Sequence, residues 1–412
     1  MLVVTLPHCH RCFDRSARRC TLTMLDVAPI RSVRPIYFAF PALVSLVLGT
    51  AACGDKQLGD LPTPDGDGGA AGAGGAADAG GATDAGGARD AGGAAGAPNS
   101  EPWQPPVVAW PDPDASEPFL LSETGLYRDI VAGELAPDLM AFEPAYTLWS
   151  DGATKRRWVR LPPGSQVDTS DMNQWQMPIG TVFFKEFVRD GVRVETRAIA
   201  RTGPARFDYW MGAFVWNEAG TDAVFRPDGE TNARGTEHDV PTSTQCGTCH
   251  NGEAGRALGF SALQLSGPDG GLLAELSHAD RLTHPVDDNQ IFVAPGEPEV
   301  SAALGYLHAN CGHCHNPNGS ARPDTNMNLR LDLGQTSPES SNAYLTTLGV
   351  ELQYFSDTEL EYRVVPGMPE ESALVERMSE RRTETQMPPF ATELVHAEGV
   401  ALISDWIDSL SE

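Results

Sequence analysis

The hydrophobic pattern of this chain changes period partway along, and that change marks its organisation. From about residue 154 to 216, apolar residues alternate with charged ones in short runs. Arg157-Trp158-Val159-Arg160-Leu161 alternates and stops at Pro162-Pro163-Gly164; Thr181 to Val188 is rich in Phe and Val, and Phe207 to Trp216 in aromatics. Such runs, bounded by Pro and Gly, predict strands. Asp190-Gly191 predicts a two-residue hairpin, because the favoured turn needs positive φ at both central positions. The return strand, Val192 to Ala200, would put Val192, Val194 and Thr196 on one face and Arg193, Glu195 and Arg197 on the other. Beyond about residue 255 the spacing turns helical. Arg256 to Leu265, Gly271 to His278, Pro298 to His308, Glu371 to Arg381 and Ala397 to Leu410 are the helix candidates. Asp239 to Gln245 does not read as a helix. The expected fold is α+β multidomain, with an antiparallel β-rich, sandwich-like domain over 101–240 and helices after it.

Neither period reaches the first hundred residues. Arg31 and Arg34 precede an apolar run from Ile36 to Thr50, and Ala51-Ala52-Cys53-Gly54 follows. A basic flank, a short apolar stretch and small residues at the cut describe an export signal over 1–52. The cysteine at that cut resembles a lipoprotein site, with Cys53 lipidated and holding the chain to a membrane. The run is too short for a convincing membrane span. Residues 1–23, with Cys9, Cys12 and Cys20, look foreign to the signal, and Met24 fits as its start. Residues 53–100 run through Gly, Ala and Asp with almost nothing to bury. Such a tether has an r.m.s. reach of about 35–40 Å.

The chain carries a formal charge of −27 with only three lysines, Lys56, Lys155 and Lys185. That balance excludes non-specific nucleic-acid binding. It suits a basic redox partner, since opposite fields steer encounters, and it equally suits solubility alone.

The candidate chemistry lies in two copies of C-x-x-C-H, Cys246-Gly247-Thr248-Cys249-His250 and Cys311-Gly312-His313-Cys314-His315. One C-x-x-C alone fits a zinc knuckle or a redox dithiol. Two copies, each followed directly by His, predict two haem c groups. In each, two cysteines form thioethers and the histidine, His250 or His315, ligates iron. Of the eight cysteines, three lie upstream, one is the lipid acceptor and four sit in the motifs, so none is left for a disulfide. Within 101–240 the residues argue against a mononuclear copper or zinc enzyme site: there is no His-x-His there, and His238 is the sole histidine between residues 11 and 245. The run Leu148-Trp149-Ser150-Asp151-Gly152 is polar and tight; a turn capped by its Asp and Ser explains it, with ligand binding as the alternative.

LSETGLY (121–127), LWSDGATKRRWVRLP (148–162), W-x-x-P-x-GT-x-x-x-K (175–185), ETR (195–197) and P-x-x-x-QCGTCH (241–250) resemble a family of secreted bacterial di-haem c-type cytochromes. The resemblance spans about 119–412. It implies haem binding and electron transfer, and no known catalytic residue in the β-rich half. Residues 298–412 resemble an all-α, class I-like cytochrome c domain: Gly305-Tyr306 on the first helix and Trp406 on the last are similar to that class's crossing helix pair. Thr385-Gln386-Met387-Pro388-Pro389 is similar to its distal methionine loop, which makes Met387 the expected sixth ligand of the second iron. Met327, Met368 and Met378 compete for that role. The motifs start only 65 residues apart, so the first haem belongs to a junction segment, 241–297. Its distal ligand is open among His278, His284, His238 and Met211, or the iron is five-coordinate.

The resulting expectation is a di-haem electron carrier, lipid-anchored through Cys53 in the periplasm or at the outer membrane. The alternatives are a haem peroxidase or oxidase with an open first haem, and a β-rich module that docks the cytochrome to a partner dehydrogenase.

Overall fold

Alternation from residue 140 to 225 builds one antiparallel meander. Strands β1 (Tyr127–Asp129) and β2 (Glu134–Leu135) form a separate small ribbon. Then β3 (Met140–Ala141), β4 (Thr154–Arg160), β5 (Val182–Arg189), β6 (Val192–Arg201), β7 (Tyr209–Trp216) and β8 (Ala223–Phe225) lie side by side in sequence order. The computed structural model describes residues 103–112, 117–287, 290–353 and 359–411. The expected export signal, the tether and Cys53 lie outside them. Among the described residues, no helix is long and apolar enough to cross a membrane.

The hairpin expected at Asp190-Gly191 is present, with φ of 50° and 77° at its two central residues. The facing expected for β6 is corrected. Glu195 pairs with Phe187 and Arg193 with Val188, so Val194 is an extra residue in the ladder. A bulge of this kind shifts the alternation by one. Arg193 consequently sits with Glu186 (3.8 Å) and over the Trp216 ring (3.5 Å), while Val192 and Val194 join Ala213 and Val215. Past the bulge, Glu195 and Arg197 share the other face.

Both faces of the sheet are covered. Trp158, Phe184, Ala198 and Phe214 pack on Phe119, Leu121 and Leu126 from the preceding chain. Val159, Phe183 and Ile199 pack on Phe260, Leu265, Leu273 and Leu276 from the following one. The sandwich expectation is thus corrected: among the described residues, the six-stranded sheet is covered on one face by loop with the small β1–β2 ribbon and on the other by helix and loop, not by a second full sheet. Consecutive bulky residues such as Phe183-Phe184 carry the reason, because a strand buried on both faces loses its polar positions.

Helices α1 (Ser243–His250), α2 (Ala262–Leu265), α3 (Gly271–His278), α4 (Pro298–Asn310), α5 (Asn342–Thr347), α6 (Ala373–Ser379) and α7 (Ala397–Asp408) follow. The Arg256–Leu265 candidate shortens to α2, while α3, α4 and α7 form close to the expected positions. The stretch from 298 is not all-α: extended segments pair through isolated bridges such as Leu348↔Val364 and Glu351↔Tyr362. Helices α4 and α7 pack on each other as expected, through Leu304, Leu307, Ile403 and Ile407. The contact residues differ from the expected ones. Gly305 lies against the Tyr146 ring, and the glycine that admits Tyr306 is Gly399 of α7. Trp406 Nε1 donates to the Tyr344 hydroxyl at 3.2 Å.

The segment before β4 ties the sheet to the helices. Trp149 N donates to Asn310 Oδ1 at 2.7 Å, and the Trp149 ring stacks on His396 with centroids 4.0 Å apart. Asp151 is buried at φ 48°, and its carboxylate accepts the Glu393 and Leu394 backbone N–H groups at 3.0–3.1 Å. The capping role holds, but its partners are 242 and 243 residues away. Bonds to a charged acceptor are worth about 1.5–3 kcal/mol each. Asp151→Ala should therefore lower stability by about 2–3 kcal/mol in urea denaturation. A loss below about 0.5 kcal/mol, the range of an ordinary surface change, would mean the long-range bonds carry no weight.

Candidate functional site

The first motif is helical, contrary to the expectation for its approach. Thr242 caps α1: its hydroxyl accepts from Gln245 N at 3.3 Å, and Gln245 Oε1 accepts from Thr242 N at 2.9 Å. This T-x-x-Q capping box was legible in the sequence and marks a helix start. It places Cys246 and Cys249 one turn apart on α1, with His250 at the end. His250 Nδ1 donates to the Arg256 carbonyl at 2.5 Å. The ring nitrogen facing a carbonyl must carry the proton, so Nε2 keeps its lone pair for a ligand bond. Burial lowers the His250 pKa to about 3, against the pull of that carbonyl, with Lys185, His313 and Arg197 lowering it further. The imidazole is neutral at pH 7, as a ligand must be. Arg256, fully buried at φ 60°, holds this loop by donating to Arg206 O at 3.2 Å and stacking over Phe207 at 4.4 Å.

The second motif begins where α4 ends. His315 N donates to Cys311 O at 2.8 Å, and His315 O accepts from Leu329 N at 2.8 Å. Gly312 passes so close to Arg330 Cα that an added Cβ would meet it at 3.0 Å. Burial pushes the Cys311 thiol up to about 12 and the His315 imidazole down to about 4. His315 Nδ1 is buried with no hydrogen-bond partner among the described residues.

The two motifs touch. Cys249 Sγ, Cys314 Sγ and a His313 ring nitrogen all lie within 4.8 Å of one another, and Cys314 Sγ sits 3.8 Å from Thr248 O. A side chain at Gly252 would collide with the His313 carbonyl, so the turn after α1 can press on the second motif only as glycine. The hydrogen bond shared by the two thiols, with burial, pushes Cys249 upward, and the same bond pulls Cys314 downward. As free thiols with His313, they also form a three-ligand set suited to a soft metal such as zinc.

Both motifs open on one cavity of about 740 Å³, inside the roughly 300–1,000 Å³ range of cofactor sites. Met387 lines it, held by Met387 N donating to Arg377 O at 2.8 Å. Met327 and Met378 line it too, whereas Met368 is 37% exposed and takes no part in the wall. Of the distal candidates for the first motif, Met211 and His238 line the cavity. His278 and His284 are exposed and do not. His238 Nε2 is engaged by Glu195 Oε1 at 2.7 Å.

Sequence reading missed the sheet's contribution. Arg157, Lys185 and Arg197 project from β4, β5 and β6 onto the cavity wall. The available signal was charge at positions the strand pattern turns inward. No family model, no curated protein and no solved structure matches this chain.

Glu195 anchors this wall, fully buried, with Arg197 at 2.5 Å and His238 at 2.7 Å. Burial raises its pKa, but Arg197 and His238 outweigh that and hold it at about 2, against an ordinary 4.5. A carboxyl depressed this way stabilises the fold by about 3 kcal/mol above its ordinary pKa and loses that as pH falls through the folded value. Stability should decline by about that amount as pH drops from 4.5 towards 2. In Glu195→Gln that decline should flatten, and at pH 7 the variant should be about 3–5 kcal/mol less stable because buried cations lose their partner. Denaturation curves that stay parallel for both proteins would rule out the linkage.

Proposed function

We propose that this protein is a di-haem c-type cytochrome that carries electrons in the cell envelope. One haem attaches at Cys246 and Cys249 with His250 on its iron. The other attaches at Cys311 and Cys314 with His315 and Met387. The observation that carries the reading is that two C-x-x-C-H motifs, 65 residues apart in the chain, meet at Cys249 and Cys314 and open on one cavity. A zinc knuckle needs no such cavity, and a dithiol needs no methionine facing it. The His250–Arg256 bond supports it further, since it fixes the tautomer that a proximal ligand requires.

Bound haem supplies the one-electron iron couple; the chain holds, orients and encloses it. Cys249 and Cys314, which lie side by side, would each hold one of the two groups, and the bound groups would supply one-electron chemistry at this junction. The packed pair α4 and α7 with the Met387 loop beyond them suits a class I-like arrangement around the second group. Cys53 would carry the lipid, placing the protein in the periplasm or at the outer membrane. The charge of −27 would steer a basic redox partner.

A second reading rests on His238. Because Glu195 engages it, Met211 is left as the distal ligand of the first iron among the four candidates. If Met211 does not bind, that iron is open and reacts with small molecules, as a peroxidase or oxidase would.

Protein made with a c-type maturation system should contain two haems per chain by pyridine haemochrome. Cys246→Ala with Cys249→Ala should leave one, as should Cys311→Ala with Cys314→Ala. No haem, with zinc bound instead, would overturn the reading.

Met387→Ala should lower the potential of one centre, since a thioether ligand raises it, and should let cyanide bind there. Cyanide binding to the unmodified protein would favour the enzyme reading. If the variant keeps both the potential and the cyanide resistance of the parent, Met387 is not a ligand.

A further inference from the structure

The chain keeps only three lysines, and one of them, Lys185, lines the cavity. Arg157 and Arg197 line it from the neighbouring strands. Three cations of the sheet thus face one cavity in a protein of charge −27. Arg197 has a partner inside the protein, Glu195. Among the described residues, the side chains of the other two have no anionic partner. Arg157 is 6% exposed, and its guanidinium makes no hydrogen bond or ion pair with any described residue. Lys185, on β5, has only the face of the Phe187 ring, 4.9 Å away.

Unpaired buried cations cost several kcal/mol each unless an anion joins them. The carboxylates around the cavity do not fill that role. Glu195 is engaged by Arg197 and His238, Asp239 accepts from Asn232 N, and Asp151 accepts from residues 393 and 394. Asp324 and Glu384 lie on the loops of the second motif, and Glu143, the carboxylate nearest in effect to Arg157, is exposed. Burial, with Arg157, Lys155 and Arg197 nearby, pushes the Lys185 ammonium well below its usual range. It also pushes Lys155 down to about 8.

We propose that Arg157 and Lys185, backed by Arg197, form a carboxylate-binding wall that holds the propionates of the haem attached at Cys246 and Cys249. The inference rests on the di-haem reading. The same cavity is lined by Cys246, Cys249 and His250. A covalently attached haem therefore brings two carboxylates to the cations and cannot diffuse away. A free small carboxylate or oxyanion is the other source of the same chemistry. The covalent source is favoured because the wall and the attachment helix border one space.

The test uses full-length holoprotein. Lys185→Met and Arg157→Met remove the charge at similar length. Arg382→Gln, at an arginine 78% exposed and outside the cavity, controls for general charge loss. Both wall variants should keep two haems and shift the propionate bending band in resonance Raman spectra. One centre should favour its oxidised form more, on the order of tenfold, by loss of a nearby positive charge. That centre's potential should also become pH-dependent as its released carboxylate titrates. The control should do none of this. If the Met variants fail to take up haem, Lys185→Arg should take it up and leave the band in place; its failure too would overturn the proposal. Unchanged bands and potentials would also overturn it. So would a thermal stabilisation of the parent by added acetate or nitrite that the Met variants lose, with the Raman band unmoved, because the wall would then serve free anions. Absence of haem from the parent would instead refute the cytochrome reading itself.

Discussion

Bringing Cys249 next to Cys314 constrains nearly every other element. The two cysteines can meet only if the turn after α1 presses on the backbone of the second motif, and that approach has no room for a Cβ at Gly252. It also requires α1 to leave the sheet towards the helical half. The loop from Gly252 to Arg256 must then fold back to support His250. Helices α2 and α3, which follow that loop, close the sheet's second face. The contact therefore explains why a β-rich half and a helical half share one interior. Neither motif has a complete environment alone. The first looks onto Met211, Lys185 and Arg197 from the sheet, the second onto Met387 and Met378 from the C-terminal segments, and the cavity between them is continuous.

That arrangement places opposite electrostatic demands on the two sides. The outer surface is strongly acidic, while the sheet wall carries cations. Strands suit such a wall better than loops, because pleat and register fix where each side chain points. The bulge at Val194 matters here. It resets the alternation of β6 so that Arg193 turns to Glu186 and Trp216, while Arg197 faces the cavity with Glu195 paired to it on the same face. Without that extra residue the β6 ladder would run one position out of phase.

Local elements were legible in the sequence because local rules decide them. Asp190-Gly191 could be only a tight turn, and α3, α4 and α7 announced themselves by spacing. Helix α1 went unread although Thr242 and Gln245 spell its capping box, since its apolar face is weak and the motif's cysteines hide it. The bulge was not legible, because strict alternation contains no sign of an inserted residue. The single covered sheet was mistaken for half of a sandwich for a similar reason: a strand buried on both faces has the same composition whether a second sheet or helices cover it. Gly305 misled by position. It stands beside Tyr306 on α4, but its missing Cβ makes room for Tyr146, and the Tyr306 contact falls to Gly399. The meeting of Cys249 with Cys314 is purely tertiary, and no local pattern contains it.

Lys185 shows how this fold and its ligand depend on each other. An ammonium on a central strand, beside Arg157 and facing the cavity, opposes folding unless it loses its proton or gains an anion. Losing the proton lets the empty chain fold. Gaining an anion restores the charge and adds a charge-assisted bond, so a bound carboxylate stabilises the folded state by mass action. If the carboxylate belongs to a covalently held group, its effective concentration at the wall is fixed by geometry, and the stabilisation no longer depends on what the surroundings supply. With haem attached at Cys246 and Cys249, as proposed, the thioethers would bring the anion to the wall, and the anion would resolve the charge that the sheet would otherwise bury alone.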